Sequence, residues 1–86
     1  MSIDLEPPQT EIVRLICIGC TNKEVGKILD LTLSRVENHK AAAMLALGAI
    51  KEAQLKELAL EHQVAKRNDR LTMREQRLCG RIAMNR

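Results

Sequence analysis

Helix start and stop signals follow one another closely between residues 19 and 32, and their spacing limits what this chain can fold into. Gly19 is placed to end a first helix, since glycine readily adopts the left-handed conformation found after helix C-termini. Thr21 and Glu24 then form the S/T-x-x-E pattern of a capping box, which marks a helix start. Thr32 is the next candidate N-cap. Only a short helix, predicted over about 22–29, fits between these signals.

Longer helices are predicted on both sides of this short one. The first covers about 8–18, where a proline pair suits the first turn and apolar residues recur at i, i+3 and i+4: Pro7, Pro8, Ile12, Leu15 and Ile16. The third covers about 33–47 and ends at Gly48, with an apolar face formed by Val36, Ala43, Met44 and Leu47. Ser34 and Glu37 form a second capping-box pattern near its start. Two helices joined by a tight turn, the second one longer, are typical of the helix-turn-helix unit.

Gly26 stands in the middle of the short second helix. Glycine at such a position costs about 0.5–1 kcal/mol of helix stability relative to alanine. We therefore expect another helix to cross closely at Gly26.

From Ile50 onwards the chain has no proline and a single glycine, Gly80. A fourth helix is predicted from Ile50, and either it continues to about residue 84 or two helices meet near 66–71. A break is favoured by the Asn68-Asp69 pair and by a third capping box, Thr72 with Glu75. After the break, the apolar face would consist of Leu71, Leu78 and Ile82.

The length and composition exclude several classes of protein. A chain of 86 residues forms one domain at most and is only marginally stable alone. It has no Phe, Tyr or Trp, so the core must be aliphatic, and base-stacking platforms for single-stranded nucleic acid are disfavoured. No apolar run approaches the roughly 20 residues of a membrane span, and the N-terminus lacks the order of a signal peptide. We expect a cytoplasmic protein that does not bind membranes.

Cysteine and histidine do not predict a metal site or a catalytic site. Cys17 and Cys20 form a C-x-x-C, but zinc would need further ligands, and a redox motif would need a strand-turn-helix setting. We interpret both as small apolar residues. His39 is interpreted as a packed or phosphate-side residue, since no partner for a catalytic dyad is visible. No enzyme activity, cofactor or metal is expected.

Positive charge is concentrated at the C-terminal end. Residues 1–49 and 50–65 each carry a net charge of −1, whereas residues 66–86 carry +5. Five arginines there are spaced three and four residues apart, which would place them on one stripe of a helix: Arg67, Arg70, Arg74, Arg77 and Arg81. The stripe would track a DNA phosphate backbone or, alternatively, pair with Glu52, Glu57 and Glu61 of a neighbouring helix or of a dimer partner.

Residues 5–48 resemble the LuxR-type (GerE-like) helix-turn-helix domain of bacterial transcription regulators. The segment Gly19-x-Thr21-Asn22-Lys23-Glu24-Val25 looks like the G-x-[ST]-N-K-E-[IV] of that family. Its other marker positions match Leu5, Pro7, Glu11, Ile12, Arg14, Leu15, Ile16, Leu29, Leu31, Thr32, Val36, His39, Leu47 and Gly48. The chain differs from the family pattern at Glu6, Gly26 and Arg35, and Lys40 is the only cation of the third helix after His39.

The resemblance implies an all-α fold: a four-helix LuxR-like domain over 1–65, to which this chain adds a basic helical extension over 66–86. It also implies a small stand-alone regulator that binds double-stranded DNA through its third helix. The base-reading positions of the family fall on Glu37, Asn38 and Ala41; asparagine suits adenine, and glutamate suits cytosine. Glu37 is alternatively a cap for Ser34.

Phosphate contacts are expected from Arg35 and Lys40 and from the start of the second helix, Asn22 and Lys23, unless these last two are merely solvated or locally bonded. The fourth helix would form a homodimer through its apolar residues Ile50, Leu55, Leu58 and Ala59. The alternative function is a regulator of the same fold that binds another protein rather than DNA. It is favoured by the net negative charge of residues 1–49 and by the alanine-rich third helix.

Overall fold

A computed structural model describes residues 5–81, and within that range the chain is all-helical, with no strand. The helices are α1 (Pro7–Ile18), α2 (Asn22–Leu29), α3 (Leu33–Leu47), α4 (Glu52–Glu61) and α5 (Met73–Cys79). The prediction of an all-α chain is confirmed, and the first three helices lie where the start and stop signals put them. Ile82 and the rest of the predicted extension, 82–86, lie outside the described residues.

Side-chain caps define the helix starts. The hydroxyls of Thr21, Thr32 and Thr72 each accept a hydrogen bond from the backbone N–H three residues later. The capping boxes at Thr21 and Thr72 are complete, because Glu24 and Glu75 accept in return from the threonine backbone N–H groups. Helix α1 starts without a Thr cap; there Gln9 accepts from the backbone N–H of Glu6.

The capping box predicted at Ser34 and Glu37 is wrong. Thr32 is the N-cap of α3, and its hydroxyl accepts from the backbone N–H of Arg35 at 3.2 Å. Ser34 therefore lies inside the first turn of α3, where it has no cap to form. Glu37 is exposed and is not a capping residue.

A close approach at Gly26 is present, but it does not come from a crossing helix as predicted. A Cβ at this position would lie 2.8 Å from the carbonyl oxygen of Leu31, which belongs to the turn between α2 and α3. The nearest atom of another helix is the Cγ2 of Val36, at an ordinary contact distance of 3.7 Å. The close approach thus comes from the turn backbone rather than from a crossing helix.

The break in the C-terminal half is confirmed. Helix α4 begins at Glu52 rather than Ile50 and ends at Glu61, and residues 62–72 are non-helical. Gln63 within this segment adopts a left-handed backbone conformation, with φ of 61°.

The apolar interior consists of two clusters that meet at α1. Ile12 and Leu15 belong to the first cluster together with residues of α2 and α3, whereas Val13 belongs to the second with residues of α3 and α4. Leu71 and Cys79, from the segment after α4, are buried in the first cluster. The boundary predicted at residue 65 therefore does not separate two cores, and α5 packs against α2.

Two arginines hold α5 in place by ion pairs. Arg14 of α1 donates from Nε to Asp69 and from Nη1 to Glu75, both at 2.7 Å, and from Nη2 to the carbonyl of Arg70 at 3.0 Å. Arg81 follows α5 and donates from Nε to Glu24 of α2 at 2.8 Å. The side chains of Arg14, Asp69 and Glu75 are largely withdrawn from solvent.

Candidate nucleic-acid interface

The turn between α2 and α3 sets the orientation of the first turns of α3. Three residues, Asp30, Leu31 and Thr32, connect the two helices. The turn is short because Asp30 takes a left-handed conformation at the C-terminus of α2, and because the backbone N–H of Leu31 donates to the carbonyl of Gly26 at 2.9 Å. Val36 anchors α3 to the core, since its side chain is fully buried in the first cluster.

The exposed start of α3 carries three of the predicted DNA-binding residues. Arg35, Glu37 and Asn38 are all exposed. No hydrogen bond or ion pair joins their side chains to any other residue described in the structure. Their polar atoms are therefore available to an external partner.

Lys40 is placed differently from the prediction. Its Nζ forms an ion pair with Glu52 of α4 and contacts the Oδ1 of Asn22 at 3.5 Å. The lysine charge is thus neutralised inside the domain, and the side chain is mostly buried. Lys40 and Asn22 connect α3, α2 and α4, so neither is a free phosphate ligand in this arrangement.

Beyond Lys40, the outward face of α3 is apolar. Ala41, Ala42 and Ala46 are exposed, and Leu45 is 84% exposed. A leucine on a helix surface at this level of exposure makes almost no contact with its own domain. The C-terminal half of α3 can therefore contribute apolar contacts but no charge.

An open cleft of about 640 Å³ borders α2 and the turn. Its lining residues are Asn22, Lys23, Gly26, Lys27, Asp30, Leu31 and Leu33. Lys23 and Lys27 are one helical turn apart and exposed, so they place two positive charges on the outer surface of α2.

The five C-terminal arginines do not form one helical stripe. Only Arg74 and Arg77 lie on α5, because this helix spans just Met73–Cys79. Arg67 and Arg70 lie in the non-helical segment before it, and Arg81 lies after it. Within residues 5–81 of one chain, these arginines do not pair with Glu52, Glu57 or Glu61: Arg81 pairs with Glu24, and Glu52 pairs with Lys40. Pairing with the same glutamates of a dimer partner stays a prediction.

The residues predicted for dimerisation are divided between the core and the surface. Leu55 and Ala59 are fully buried in the second cluster, and Leu58 packs against it. Helices α1 and α3 cover this side of α4, so most of its apolar face packs within the chain. Only Ile50, which precedes α4 and is 83% exposed, is accessible.

The acidic residues around α5 have lowered pKa values. Hydrogen bonds from Arg81 and from the backbone N–H of Thr21 hold the pKa of Glu24 at about 2. Hydrogen bonding to Arg14 lowers the pKa of Asp69. Burial acts to raise the pKa of Glu75, but hydrogen bonds from Arg14 and Thr72 outweigh it and lower the pKa. All three carboxylates are therefore charged in the folded protein at neutral pH.

The cysteines and His39 do not form a metal site in the described range. Cys20 and Cys79 lie in the first cluster, whereas Cys17 packs against the second. No group of three or more His, Cys, Asp or Glu side chains between residues 5 and 81 is arranged to hold a metal ion. His39 is half-buried.

Sequence reasoning did not identify the ion pairs of Arg14 with Asp69 and Glu75, or the ion pair of Arg81 with Glu24. Arg14 matched the family pattern, but no local signal connects it with residues 55 and 61 positions away.

None of the helices between residues 5 and 81 is both long enough and apolar enough to span a membrane. Comparisons with protein-family models, with curated proteins and with solved structures find no match for this chain.

Proposed function

We propose that this protein is a DNA-binding transcription regulator in which α2 and α3 act as a LuxR-like helix-turn-helix unit and α3 enters the major groove. One observation carries the proposal. The capped three-residue turn holds the start of α3 rigidly, and the side chains there that suit base and phosphate contacts point to solvent: Arg35, Glu37 and Asn38.

The chemistry of these side chains assigns their roles. The amide of Asn38 presents a donor and an acceptor, which matches N6 and N7 of adenine, and Glu37 accepts from N4 of cytosine. Arg35 binds a phosphate, a contact that positions the protein without reading sequence.

Two adjacent helices supply the flanking positive charge. Lys23 and Lys27 lie on the exposed side of α2, and Arg74 and Arg77 lie on the exposed side of α5, which packs against α2. We assign these four side chains to phosphates next to the major-groove contact. This charge compensates for the loss of Lys40 to its ion pair with Glu52.

A homodimer remains part of the proposal, with Ile50 as the accessible residue of its contact. Dimers of helix-turn-helix proteins read two half-sites, so the operator would be a palindrome. Light scattering at tens of micromolar protein measures this directly, and a monomer at that concentration contradicts it.

The second candidate function is binding to another protein through α3. The observation that favours it is the uncharged outer face of the C-terminal half of α3, with Leu45 84% exposed. Selection from a random DNA library separates the two functions. Enrichment of a palindromic sequence supports DNA binding, and recovery of no preferred sequence supports the protein-binding function.

The decisive variant for the DNA-binding proposal is Asn38→Ala. Loss of a bidentate base contact should weaken binding to the selected sequence by about 1–3 kcal/mol while random DNA is hardly affected. The matched control is Asn68→Ala, which removes an exposed asparagine outside the helix-turn-helix unit. Equal losses on selected and random DNA would reassign Asn38 to phosphate contact.

A further inference from the structure

Two cysteines that the proposed function does not use lie in the same apolar cluster. Cys20 follows α1, and Cys79 is the last residue of α5; each is only 7% exposed. Both belong to the first cluster, although they are far apart in sequence. Both are free thiols in this structure.

Arg81 connects the two segments that carry these cysteines. Arg81 lies two residues after Cys79, and its Nη2 donates to the carbonyl oxygen of Gly19, the residue before Cys20, at 3.0 Å. The same guanidinium donates to both carboxylate oxygens of Glu24, at 2.8 and 2.9 Å. The C-terminus of α5 is therefore fastened to the turn that carries Cys20.

The surroundings of the Cys20 thiol act on its pKa in opposite directions. Burial raises the pKa of the Cys20 thiol, the positive charge of Arg81 opposes this rise, and a negative charge on Cys79 would add to it. The Cys20 thiol thus stays protonated at neutral pH and reacts only when α5 is transiently released from the core.

Cys17 is not the partner of Cys20 despite the C-x-x-C spacing. It lies on the last turns of α1 and packs against the second cluster, whereas Cys20 belongs to the first. The folded chain therefore buries Cys20 and Cys79 in one cluster and places Cys17 against the other.

We propose that Cys20 and Cys79 are a redox-sensitive pair whose oxidation to a disulfide locks α5 onto the turn between α1 and α2. The oxidant is a small-molecule disulfide such as oxidised glutathione. One cysteine thiolate attacks the small disulfide, which releases one glutathione thiol and leaves a mixed disulfide. The second cysteine then attacks the protein sulfur of that bond and releases the second glutathione. Two protein thiols become one disulfide, the small disulfide is reduced to two thiols, and the two cysteine protons pass to them.

Oxidation should stabilise the folded chain. The bond would close a loop of about 60 residues and so restrict the unfolded state, which is the main stabilising effect of a disulfide that closes a long loop. For a chain of this size the expected rise in Tm is on the order of 10 °C, reversed by a dithiol reductant.

The test incubates the full chain with excess oxidised glutathione, blocks the remaining thiols and maps the tryptic peptides by mass spectrometry. Cleavage after Arg14 and Lys23 places Cys17 and Cys20 on one peptide, and cleavage after Arg77 and Arg81 places Cys79 on another. The expected product is a cross-link between these two peptides. The variant Cys17→Ser is the matched control: it should form the cross-link and show the full rise in Tm. Cys20→Ala and Cys79→Ala should show neither.

Three outcomes would overturn the proposal: a cross-link confined to the Cys17–Cys20 peptide, a bond between two chains, or glutathione adducts without a cross-link. Alanine at a buried cysteine is tolerated by volume, and circular dichroism before oxidation establishes that the variants are folded. The experiment involves no DNA, so its result is independent of the proposed function.

Discussion

Gly26 shows how one residue permits the tight turn on which the candidate interface depends. Its missing side chain leaves room for the carbonyl oxygen of Leu31, which would otherwise lie 2.8 Å from a Cβ. That carbonyl belongs to the backbone and cannot rotate away as a flexible side chain can. Alanine would therefore require a shift of the turn, and with it of the start of α3.

We expect Gly26→Ala to be destabilising. Overpacking costs about 1–3 kcal/mol, and the better helix propensity of alanine returns about 0.5–1 kcal/mol, so the net loss should be about 1 kcal/mol. Denaturant unfolding measures it. The comparison variant is Gly48→Ala, where a Cβ meets open space and only the positive φ of 79° is strained. An unchanged or raised stability for Gly26→Ala would show that the turn adjusts at little cost.

Helix α5 and the residues just before it have one side that packs in the core and another that carries exposed positive charge. Leu71 and Cys79 bury one side of this segment in the core, and the Arg14 network holds its start. Arg74 and Arg77 remain on the exposed side, next to α2. Because the segment contributes to the core, deleting it would confuse loss of charge with loss of fold, so point substitutions are the sharper test of its role in binding.

The double variant Arg74→Gln with Arg77→Gln should weaken DNA binding and make it less dependent on salt. Each phosphate that is no longer neutralised reduces the slope of log K against log salt by about 0.9, so the slope should become shallower by about 2 units. Random and selected DNA should be affected equally. A control with the same change in charge is Lys51→Gln with Lys56→Gln, on exposed positions at and within α4. Equal slopes for the two double variants would remove α5 from the interface.

At the scale of the whole molecule, the ion pairs connect the two ends of the described chain and make its stability depend on pH. Glu24, Asp69 and Glu75 all have pKa values lower in the folded state than in the unfolded state. A carboxylate of this kind stabilises the fold at pH values above its unfolded pKa. That contribution is lost as the pH falls from the unfolded pKa through the folded pKa, because the unfolded state then binds more protons than the folded state.

Thermal unfolding followed by circular dichroism should therefore show a nearly constant Tm from neutral pH down to about 5 and a marked fall between about 4.5 and 2. Glu24→Gln should be less stable than the wild type at neutral pH and should converge with it as the pH falls below about 2, where Glu24 becomes protonated in the folded protein as well. The control is Glu37→Gln, which removes an exposed carboxylate that has no side-chain partner among the described residues. A constant difference between Glu24→Gln and the wild type across this range would contradict the role of the Arg81–Glu24 pair.

The helix boundaries were accessible to sequence reasoning wherever the determining interaction is local. Thr21, Thr32 and Thr72 bond to groups three residues away, and Gly19 and Gly48 need only their own backbone freedom. Ser34 is an exception, because Thr32 and Ser34 are both candidate N-caps and lie only two residues apart. The local sequence does not show which of the two caps α3. The choice of Glu37 and Asn38 came from the resemblance to the LuxR-type domain rather than from capping signals, and both side chains are exposed.

The sequence by itself determined the first three helices, the short capped turn between α2 and α3, and the uneven distribution of charge, whereas it favoured the break between α4 and α5 without deciding it. The tertiary structure alone decided that Leu55 and Ala59 are core residues and that Lys40 is neutralised by Glu52. It also decided that Arg81 pairs with Glu24. The physical reason is the range of the interactions. A cap depends on residues three positions apart, whereas the ion pairs of Arg14 and Arg81 join residues 55 to 61 positions apart. The partner in such a pair depends on the path of the whole chain. The residues next to each of these arginines in sequence do not distinguish it from an arginine that is exposed to solvent.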